Sequence, residues 1–383
     1  MRAVRLLVLG NGAAGAEKQA LALGNRLREK LLSESASRRS QVRCAPVQCV
    51  RVALGRSRLI PPVLQLIGAR LTRNPLFGYA EHDASRLLPV QKTGRELDVV
   101  IGCGRSTVAL CAVLKQLRPA RTFNVQIQHP RVPLAWFDAV VAPRHDFPRG
   151  EGDAGNLYLT SGTVFDITPE LLQQHGGEWG DELDDKLQGR RMRVVWLLGG
   201  PCRGFSFTEQ DAQRMVEEFA AALPSGGDVA VLVTFSRRTP TSAQRIIRRG
   251  LEDRFPTPGQ LIIWDGTEQR NPYYALLATA SCIVTTPDSI SMTTEAIASG
   301  KPVLTMSVEH CKGKFQRFHQ SLFESNATAP HSRDAVATAL RRAVDANAAA
   351  SVALEEGISS IVDRIAARVQ AAVEHIEKTK TSD

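Results

Sequence analysis

The sequence predicts an α/β protein with two tandem doubly wound domains, each a parallel sheet covered by helices on both faces. Four observations support this prediction. Short apolar segments alternate with helical segments along most of the chain. These segments are continuously apolar, as strands buried on both faces are. Several of them end in a Gly-rich or polar turn just before the next helix begins. The chain has 383 residues, the length of about two domains.

The first predicted domain covers residues 1–190 and begins directly with a strand. Its predicted strands are residues 4–9, 98–101, 122–126 and 139–142. Helices follow the first two strands and end near Leu32 and Leu117. Residues 38–73 are interpreted as a basic and partly apolar insertion, and the alternation pauses from residue 168 to residue 193.

The second predicted domain covers residues 191–383. Its predicted strands are residues 194–198, 229–234, 261–264, 282–285 and 303–306. A helix over residues 208–223 has Thr208 as its expected N-cap, and helices over residues 334–344 and 350–373 close the chain. Two Rossmann-like domains of this kind are expected to face each other across a cleft, with ligands at the carboxyl ends of the strands.

Charge and composition exclude several classes of protein. The 48 Lys and Arg exceed the 39 Asp and Glu by nine, and residues 26–73 hold eleven basic residues against two acidic ones. The excess therefore belongs to one segment, and no nucleic-acid-binding signature accompanies it. The seven cysteines include no CxxC pair and the histidines lack metal-binding spacings, so neither a disulfide framework nor a metal site is predicted.

The apolar run at the N-terminus, residues 6–9, leads directly into a glycine turn. It is interpreted as the first strand and not as a cleaved leader, so a cytosolic protein is expected. The turn itself, residues 10–15, is Gly-rich and opens a helix, so amides near Gly12 and Gly15 are candidates for holding an anion. It lacks the Lys-Ser/Thr pair of a P-loop. The alternative is that these glycines only permit a tight turn.

A phosphate site is predicted where a strand of the second domain ends. Arg237, Arg238 and Thr239 supply two guanidinium groups and a hydroxyl immediately before a helix begins. Such groups suit a diphosphate. The alternative is a solvated basic loop.

A neighbouring strand end extends this nucleotide-type site. Asp288 and Ser289 follow the strand, and a helix is expected to begin near Ser291 with amides that can cap a phosphate. Glu295, one turn later, is a candidate acceptor for both hydroxyls of a ribose. The alternative is that Asp288 or Ser289 only caps the helix and that Glu295 lies on the surface.

Two further groups of residues have both a functional and a structural interpretation. His145 and Asp146 follow a strand of the first domain and could transfer a proton, although a loop histidine is more often structural. Residues 59–71 form an apolar stretch within the basic segment, which could contact a membrane or a partner. The basic residues assigned to that contact are Arg51, Arg56, Arg58, Arg70 and Arg73. The alternative is a helix packed on its own domain beside solvated loops.

Several strings, taken in order, resemble the elongated-mitochondria fission-factor family of plants and its bacterial relatives. The strings are residues 10–12, 15–17, 103–105, 126–131, 143–146, 287–291, 295–296, 300–303 and 310–312. The resemblance runs from Gly10 to about Phe323 and implies a glycosyltransferase-B-like fold. It also implies a cytosolic protein attached peripherally to the mitochondrial outer membrane, which helps to recruit a dynamin-related GTPase.

The resemblance also leaves an enzymatic alternative, a metal-independent glycosyltransferase that uses a nucleotide-sugar donor. Asp288, Ser289 and Glu295 would serve the donor side. Bacterial relatives commonly carry His after the Gly loop, whereas this chain has Ala16. An active transferase would therefore need another base, for which the candidates are His145, Asp146 and Glu17. No cofactor is expected to be required, and the expected ligand is a nucleoside diphosphate or a nucleotide sugar.

Overall fold

A computed structural model describes residues 2–37, 42–52, 60–79, 96–147, 155–224, 228–266, 270–341 and 348–378. The chain divides into two compact units. The first contains Met1–Asp166 and Glu356–Asp383, and the second contains Ile167–Glu355. Each unit carries its own parallel sheet, which confirms the predicted α/β fold with tandem Rossmann-like domains.

The first unit is built on an all-parallel sheet. Its strands are β1 (Arg2–Gly10), β2 (Val42–Cys44), β3 (Gln48–Arg51), β4 (Leu97–Cys103), β5 (Thr122–Ile127), β6 (Ala139–Pro143) and β7 (Leu157–Thr160). Its helices include α1 (Ala14–Ser37), α2 (Pro62–Thr72) and α3 (Val108–Leu117). The strand order is β2-β1-β4-β5-β6-β7. Residues 2–4 of β1 pair with β2, and residues 7–10 of β1 pair with β3. Every residue of β4, β5 and β6 is buried, as expected for strands covered on both faces.

The second unit repeats the same architecture. Its strands are β8 (Met192–Leu198), β9 (Val229–Phe235), β10 (Leu261–Trp264), β11 (Cys282–Thr285), β12 (Val303–Thr305) and β13 (Ala329–Pro330). Its helices are α4 (Pro169–Leu187), α5 (Glu209–Ala222), α6 (Thr241–Arg254), α7 (Tyr273–Thr279), α8 (Ile290–Ala298), α9 (Lys314–Glu324), α10 (Arg333–Arg341) and the start of α11 (Ala348–Lys378).

The order of the second sheet locates its ligand-binding edge. The strands run β10-β9-β8-β11-β12-β13, which is the Rossmann order 3-2-1-4-5-6. All neighbouring strands are parallel, but the chain adds β9 and β10 on one side of β8 and adds β11, β12 and β13 on the other. The strand order therefore reverses between β8 and β11. A crevice opens at such a switch point outside the carboxyl ends of the strands. The first sheet has its own switch point between β1 and β4.

Local sequence signals set the helix ends. Thr208 caps α5 through a capping box with Asp211, as the sequence predicted. Thr168 accepts a hydrogen bond from the amide of Leu171 and begins α4, with Pro169 in the first turn. The stretch where the strand–helix alternation appeared to pause is therefore a regular helix. Its acidic residues, Asp181 to Asp185, lie on that helix, and no group of three metal-ligating side chains occurs among the described residues.

The structural division differs from the boundary predicted near residue 190. Helix α4 packs against α7 and β10, so the second unit begins at Ile167. Helix α11 begins in the second unit, but from Glu356 onward its residues group with the first. Residues 42–51, predicted as part of an insertion, contain β2 and β3, which pair with the side of β1 that faces away from β4. In the described part of the chain, no helix combines the length and the apolar character needed to cross a bilayer.

Candidate functional site

A buried carboxylate, Asp288, connects the strand ends at the switch point of the second unit. Its side chain is fully buried. One oxygen accepts hydrogen bonds from the Gly200 amide (2.9 Å) and from Arg238 Nη2 (2.6 Å), and the other accepts one from Thr286 Oγ1 (2.7 Å). Thr286 Oγ1 in turn accepts a hydrogen bond from the Gly199 amide (2.8 Å). We call Gly199, Gly200, Arg238, Thr286 and Asp288 the Asp288 network.

Two glycines allow this network to close. A Cβ on Gly199 would lie 2.1–2.4 Å from the carboxylate of Asp288. A Cβ on Gly200 would lie 2.4 Å from the carbonyl oxygen of Arg238. These separations are far below van der Waals contact, so neither position accepts a larger residue without movement of the backbone or of Asp288. The sequence showed these glycines only as a turn after a strand.

The predicted phosphate residues have unequal roles in the structure. Arg237 is exposed. Arg238 pairs with Asp288, and its Nη1 lies 3.3 Å from the carbonyl oxygen of Gly200. Thr239 is buried and donates to the carbonyl oxygen of Gly199. The guanidinium group of Arg237 extends into solvent and has no acceptor among the described residues.

The helix after β11 brings the other predicted nucleotide residues to the same edge. Ser289 is the N-cap of α8 and accepts a hydrogen bond from the amide of Met292 at 3.4 Å, so the capping interpretation of this serine holds. Ser291 is half-buried in the first turn of α8. Glu295 is only 5% exposed, so it is not a surface residue. Its role toward a ribose stays a prediction.

A buried histidine that the sequence did not single out supports the turn before Asp288. His319 on α9 is fully buried, and its Nε2 lies 2.9 Å from the carbonyl oxygen of Pro287. Because a carbonyl only accepts, Nε2 carries a proton. Desolvation lowers the pKa of His319 from 6.5 to about 4. No sequence spacing marks this residue, because its partner lies 32 positions away.

A second histidine, the half-buried His331, stacks on Phe219, which itself stacks on Trp196 of β8. Desolvation lowers its pKa to about 4 as well. The sequence did not single out this residue either. Both histidines are therefore uncharged in the folded protein at neutral pH.

The glycine loop of the first unit is largely satisfied by its own side chains. The Gly12 amide donates to Glu17 Oε1 at 2.6 Å, and the Ala13 amide donates to Asn11 Oδ1 at 3.0 Å. Gly12 has φ of 76°, which favours glycine there. Gly15 is exposed with open space around its Cα. An anion at Gly12 would have to displace the carboxylate of Glu17.

The candidate bases lie at separate places on the first sheet. Glu17 is buried on α1 and binds both the Gly12 amide and Arg51 Nη2, the latter at 3.2 Å. His145 and Asp146 lie in a short 3-10 turn after β6. His145 Nε2 is 3.9 Å from Asp146 Oδ1, which is too long for a hydrogen bond. Since β6 is three strands from β1, these two strands lie about 14 Å apart.

The basic residues assigned to a membrane or partner contact also lie in different parts of the chain and have different surroundings. Arg51 is 75% exposed but forms the ion pair with Glu17. Arg70 and Arg73 lie exposed at the end of α2. Arg56 and Arg58 lie outside the described residues.

A surface cleft of about 360 Å³ lies away from these strand ends. It is lined by the end of α5, the start of β9 and the end of α6, with Arg254 and Arg333 at its rim. The carboxyl-end crevice of the second sheet lies on the opposite edge, so this cleft is separate from the Asp288 network.

Comparison with known proteins identifies the family. The sequence profile described as mitochondrial fission ELM1 matches residues 14–356. The chain belongs to this family. The match covers every strand except β1, it includes the loops that carry the Asp288 network, and it confirms the resemblance drawn from the ordered strings.

Two relatives show how far the similarity extends. The chain is 30% identical over 246 residues to the mitochondrial fission protein ELM1 of Arabidopsis thaliana, covering 59% of this chain and 55% of that protein. It is 29% identical over 230 residues to an uncharacterized protein of Rickettsia prowazekii, covering 54% of this chain and 63% of that protein. The chain thus spans little more than half the length of the curated relatives that it matches.

Solved structures with the same fold are glycosyltransferase-B-like proteins. A UDP-forming α,α-trehalose-phosphate synthase from Burkholderia vietnamiensis aligns with a TM-score of 0.53 at 14% identity, over 97% of this chain and 100% of that one. UDP-GlcNAc 2-epimerase from Methanocaldococcus jannaschii aligns with a TM-score of 0.53 at 11% identity, over 89% and 94% of the two chains. At such identities the likeness shows the fold alone.

The close packing at Gly199 predicts a large effect of a single methyl group. We expect Gly199→Ala to lower the free energy of unfolding by about 1–3 kcal/mol, because the new Cβ overlaps the carboxylate of Asp288. Urea unfolding followed by circular dichroism measures this. Gly180→Ala on α4 is the matched control, since no atom lies within 4 Å of its Cβ and alanine favours a helix. Equal stability of the two variants would contradict the role assigned to Gly199.

The lowered pKa values of His319 and His331 predict a loss of stability in mild acid. Because their pKa is about 4 in the folded protein and 6.5 in the unfolded chain, the unfolded chain binds more protons between these values. Stability is therefore complete above pH 6.5 and is lost as pH falls toward 4, by up to about 3 kcal/mol per histidine. His331→Gln should reduce this pH dependence in urea unfolding. A pH profile of His331→Gln identical to that of the wild type would reject the explanation.

Proposed function

We propose that this protein is a peripheral fission factor at the cytosolic side of the mitochondrial outer membrane, where it helps to recruit a dynamin-related GTPase. Membership of the mitochondrial fission ELM1 family carries this proposal, and the homology supports a role in fission. The recruitment of a GTPase and the site on the outer membrane are the further steps proposed here.

The charge distribution supports a peripheral contact. The positive excess of the chain lies within residues 26–73, which attracts an anionic surface over roughly a Debye length. In that segment, Arg70 and Arg73 are exposed at the end of one helix. An attachment of this kind is reversible and weakens as salt rises.

Replacement of the basic residues tests the attachment. In Arabidopsis cells that lack their own family member, the wild-type chain should restore short mitochondria and localise to them. A variant with Arg51, Arg56, Arg58, Arg70 and Arg73 changed to Gln should remain cytosolic and leave mitochondria elongated, because the electrostatic attraction is lost. Imaging of the tagged protein and measurement of mitochondrial length provide the two readouts.

A matched control separates local charge from total charge. It changes five exposed arginines of the second unit to Gln: Arg191, Arg245, Arg249, Arg254 and Arg341. This variant has the same net charge and should localise normally. If the first variant still restores fission, or if both variants fail equally, the basic segment is not the contact.

A second candidate function, binding of a nucleoside diphosphate or nucleotide sugar, has specific structural support in the second unit. The Asp288 network lies at the switch point of a sheet with Rossmann order, where ligands of such sheets bind. The two solved structures described above are of enzymes whose names refer to UDP or a UDP-sugar.

Buried polar atoms near the same edge lack hydrogen-bond partners among the described residues. They include the hydroxyls of Thr305 and Ser307 at the end of β12 and Nδ1 of His319. Buried polar groups are nearly always paired, and a polar ligand would supply the missing partners. A metal-independent glycosyltransferase remains the corresponding enzymatic alternative.

Calorimetry with uridine, guanosine and cytidine diphosphates and their sugars tests this site. We expect binding that weakens about tenfold or more in Glu295→Ala, and also in Arg237→Gln, because each charged hydrogen bond contributes about 1.5–3 kcal/mol. Arg245→Gln, another exposed arginine of the second unit, should bind as the wild type does. Absence of heat with every nucleotide at millimolar concentration would reject a nucleotide pocket.

A further inference from the structure

The outer face of helix α2 is apolar and exposed. Four of its side chains point away from the unit: Val63 is 39% exposed, Leu64 53%, Ile67 44% and Leu71 81%. The opposite face, with Leu66 and Ala69, is buried in the core of the first unit. We define the α2 face as Val63, Leu64, Ile67, Arg70, Leu71 and Arg73.

The helix that carries this face is firmly attached to its unit. Phe77 packs over Gly68, where a Cβ would lie 2.2 Å from the ring. Tyr79 donates a hydrogen bond to the carbonyl oxygen of Ser106 at 2.7 Å and accepts one from the Leu110 amide. Arg70 Nε donates to Gln116 on α3 at 2.9 Å. The apolar side chains of the α2 face are therefore displayed on a fixed support.

The charges along the segment that carries this face all have one sign. Between Ile60 and Tyr79 the only charged residues are Arg70 and Arg73. No acidic residue occurs between Glu34 and Glu81, a stretch that contains eight arginines. Arg73 follows the last turn of the helix with φ of 55°, and both arginines are exposed. An apolar helix face with cationic residues at one end matches the composition of helices that lie in the headgroup region of an anionic bilayer.

We propose that the α2 face inserts its apolar side chains into the surface of a bilayer that contains anionic lipids, while Arg70 and Arg73 contact the headgroups. The proposal rests on the peripheral attachment proposed above, and it names lipid as the partner that contacts the α2 face. The helix is 11 residues long, about 16 Å, so it lies parallel to the membrane surface and does not cross it. A purely electrostatic contact would not require the four exposed apolar residues.

Flotation of the purified full chain with vesicles tests the proposal. The two vesicle types are phosphatidylcholine alone and phosphatidylcholine mixed with phosphatidylserine. The wild type should float with the mixed vesicles and much less with the neutral ones. The double change Ile67→Glu and Leu71→Glu should weaken binding about tenfold or more, because it removes two inserting side chains. The double change Arg70→Gln and Arg73→Gln should weaken it about fivefold per arginine and only on anionic vesicles.

Val352→Glu is the matched control, because Val352 is an apolar side chain of the second unit that is 54% exposed. It should float as the wild type does, and circular dichroism should show that all variants are folded. Binding that is unchanged in Ile67→Glu/Leu71→Glu, or equal on neutral and anionic vesicles, would overturn the proposal. The proposal would also be overturned if sedimentation velocity showed that the wild type is a dimer, that this variant is a monomer, and that neither binds lipid. The face would then be a contact between two copies.

The vesicle and cell experiments can fail separately. Vesicle flotation uses only protein and lipid, so it decides the lipid contact whatever the protein does in a cell. Mitochondrial length in Arabidopsis decides the fission role. A chain that floats normally but never restores fission would leave the lipid contact standing and reject the proposed function.

Discussion

The buried carboxylate of Asp288 is the constraint on which the edge of the second sheet depends. A carboxylate without solvent must be paired and hydrogen-bonded, because an uncompensated buried charge costs several kcal/mol. Here the pairing comes from three different strand ends: the amide after β8, the guanidinium after β9 and the hydroxyl after β11. The loops after these strands therefore hold one arrangement together. Glycine is needed after β8 because any Cβ there would occupy the space of the carboxylate or of the facing backbone.

In the first unit, polar side chains also hold the strand ends together at the switch point, but the residues are different. Asn11 after β1 donates to the carbonyl oxygen of Cys103 and to Ser106 Oγ after β4. Glu17 binds the Gly12 amide and Arg51. Both switch points are thus occupied by the chain's own polar groups. A ligand that bound at either place would have to exchange these contacts, and this is why a glycosyltransferase-B-like fold alone does not establish transfer chemistry.

Much of the fold could be predicted from the sequence because long buried strands are continuous apolar runs in the sequence. The central strands β4, β8 and β11 were all predicted. Short edge strands such as β2 and β13 were not, because a few half-exposed residues carry no such signal. The strand-end positions of Arg237 and Asp288 were also predictable, since polar residues follow apolar runs. Their partners were not: the pairing of Arg238 with Asp288 spans 50 residues and depends on which strands are neighbours. For the same reason, His319 could not be found from sequence spacing.

The basic segment shows how much a charge count can conceal. Its arginines and lysine do not all contribute to the attraction of an anionic partner, because several of them already bind acidic groups or a backbone carbonyl of the first unit. Arg51 neutralises Glu17, Lys30 pairs with Asp363, and Arg26 donates to the carbonyl oxygen of Phe165. Arg70 and Arg73 differ, since they lie exposed beside apolar side chains on the same helix. Surface charge attracts an anionic partner over a Debye length but is easily screened, whereas apolar contact acts only at touching distance and is not weakened by salt. An attachment that uses both therefore has a salt-sensitive first step and a salt-resistant second step. That combination distinguishes the α2 face from a solvated basic loop.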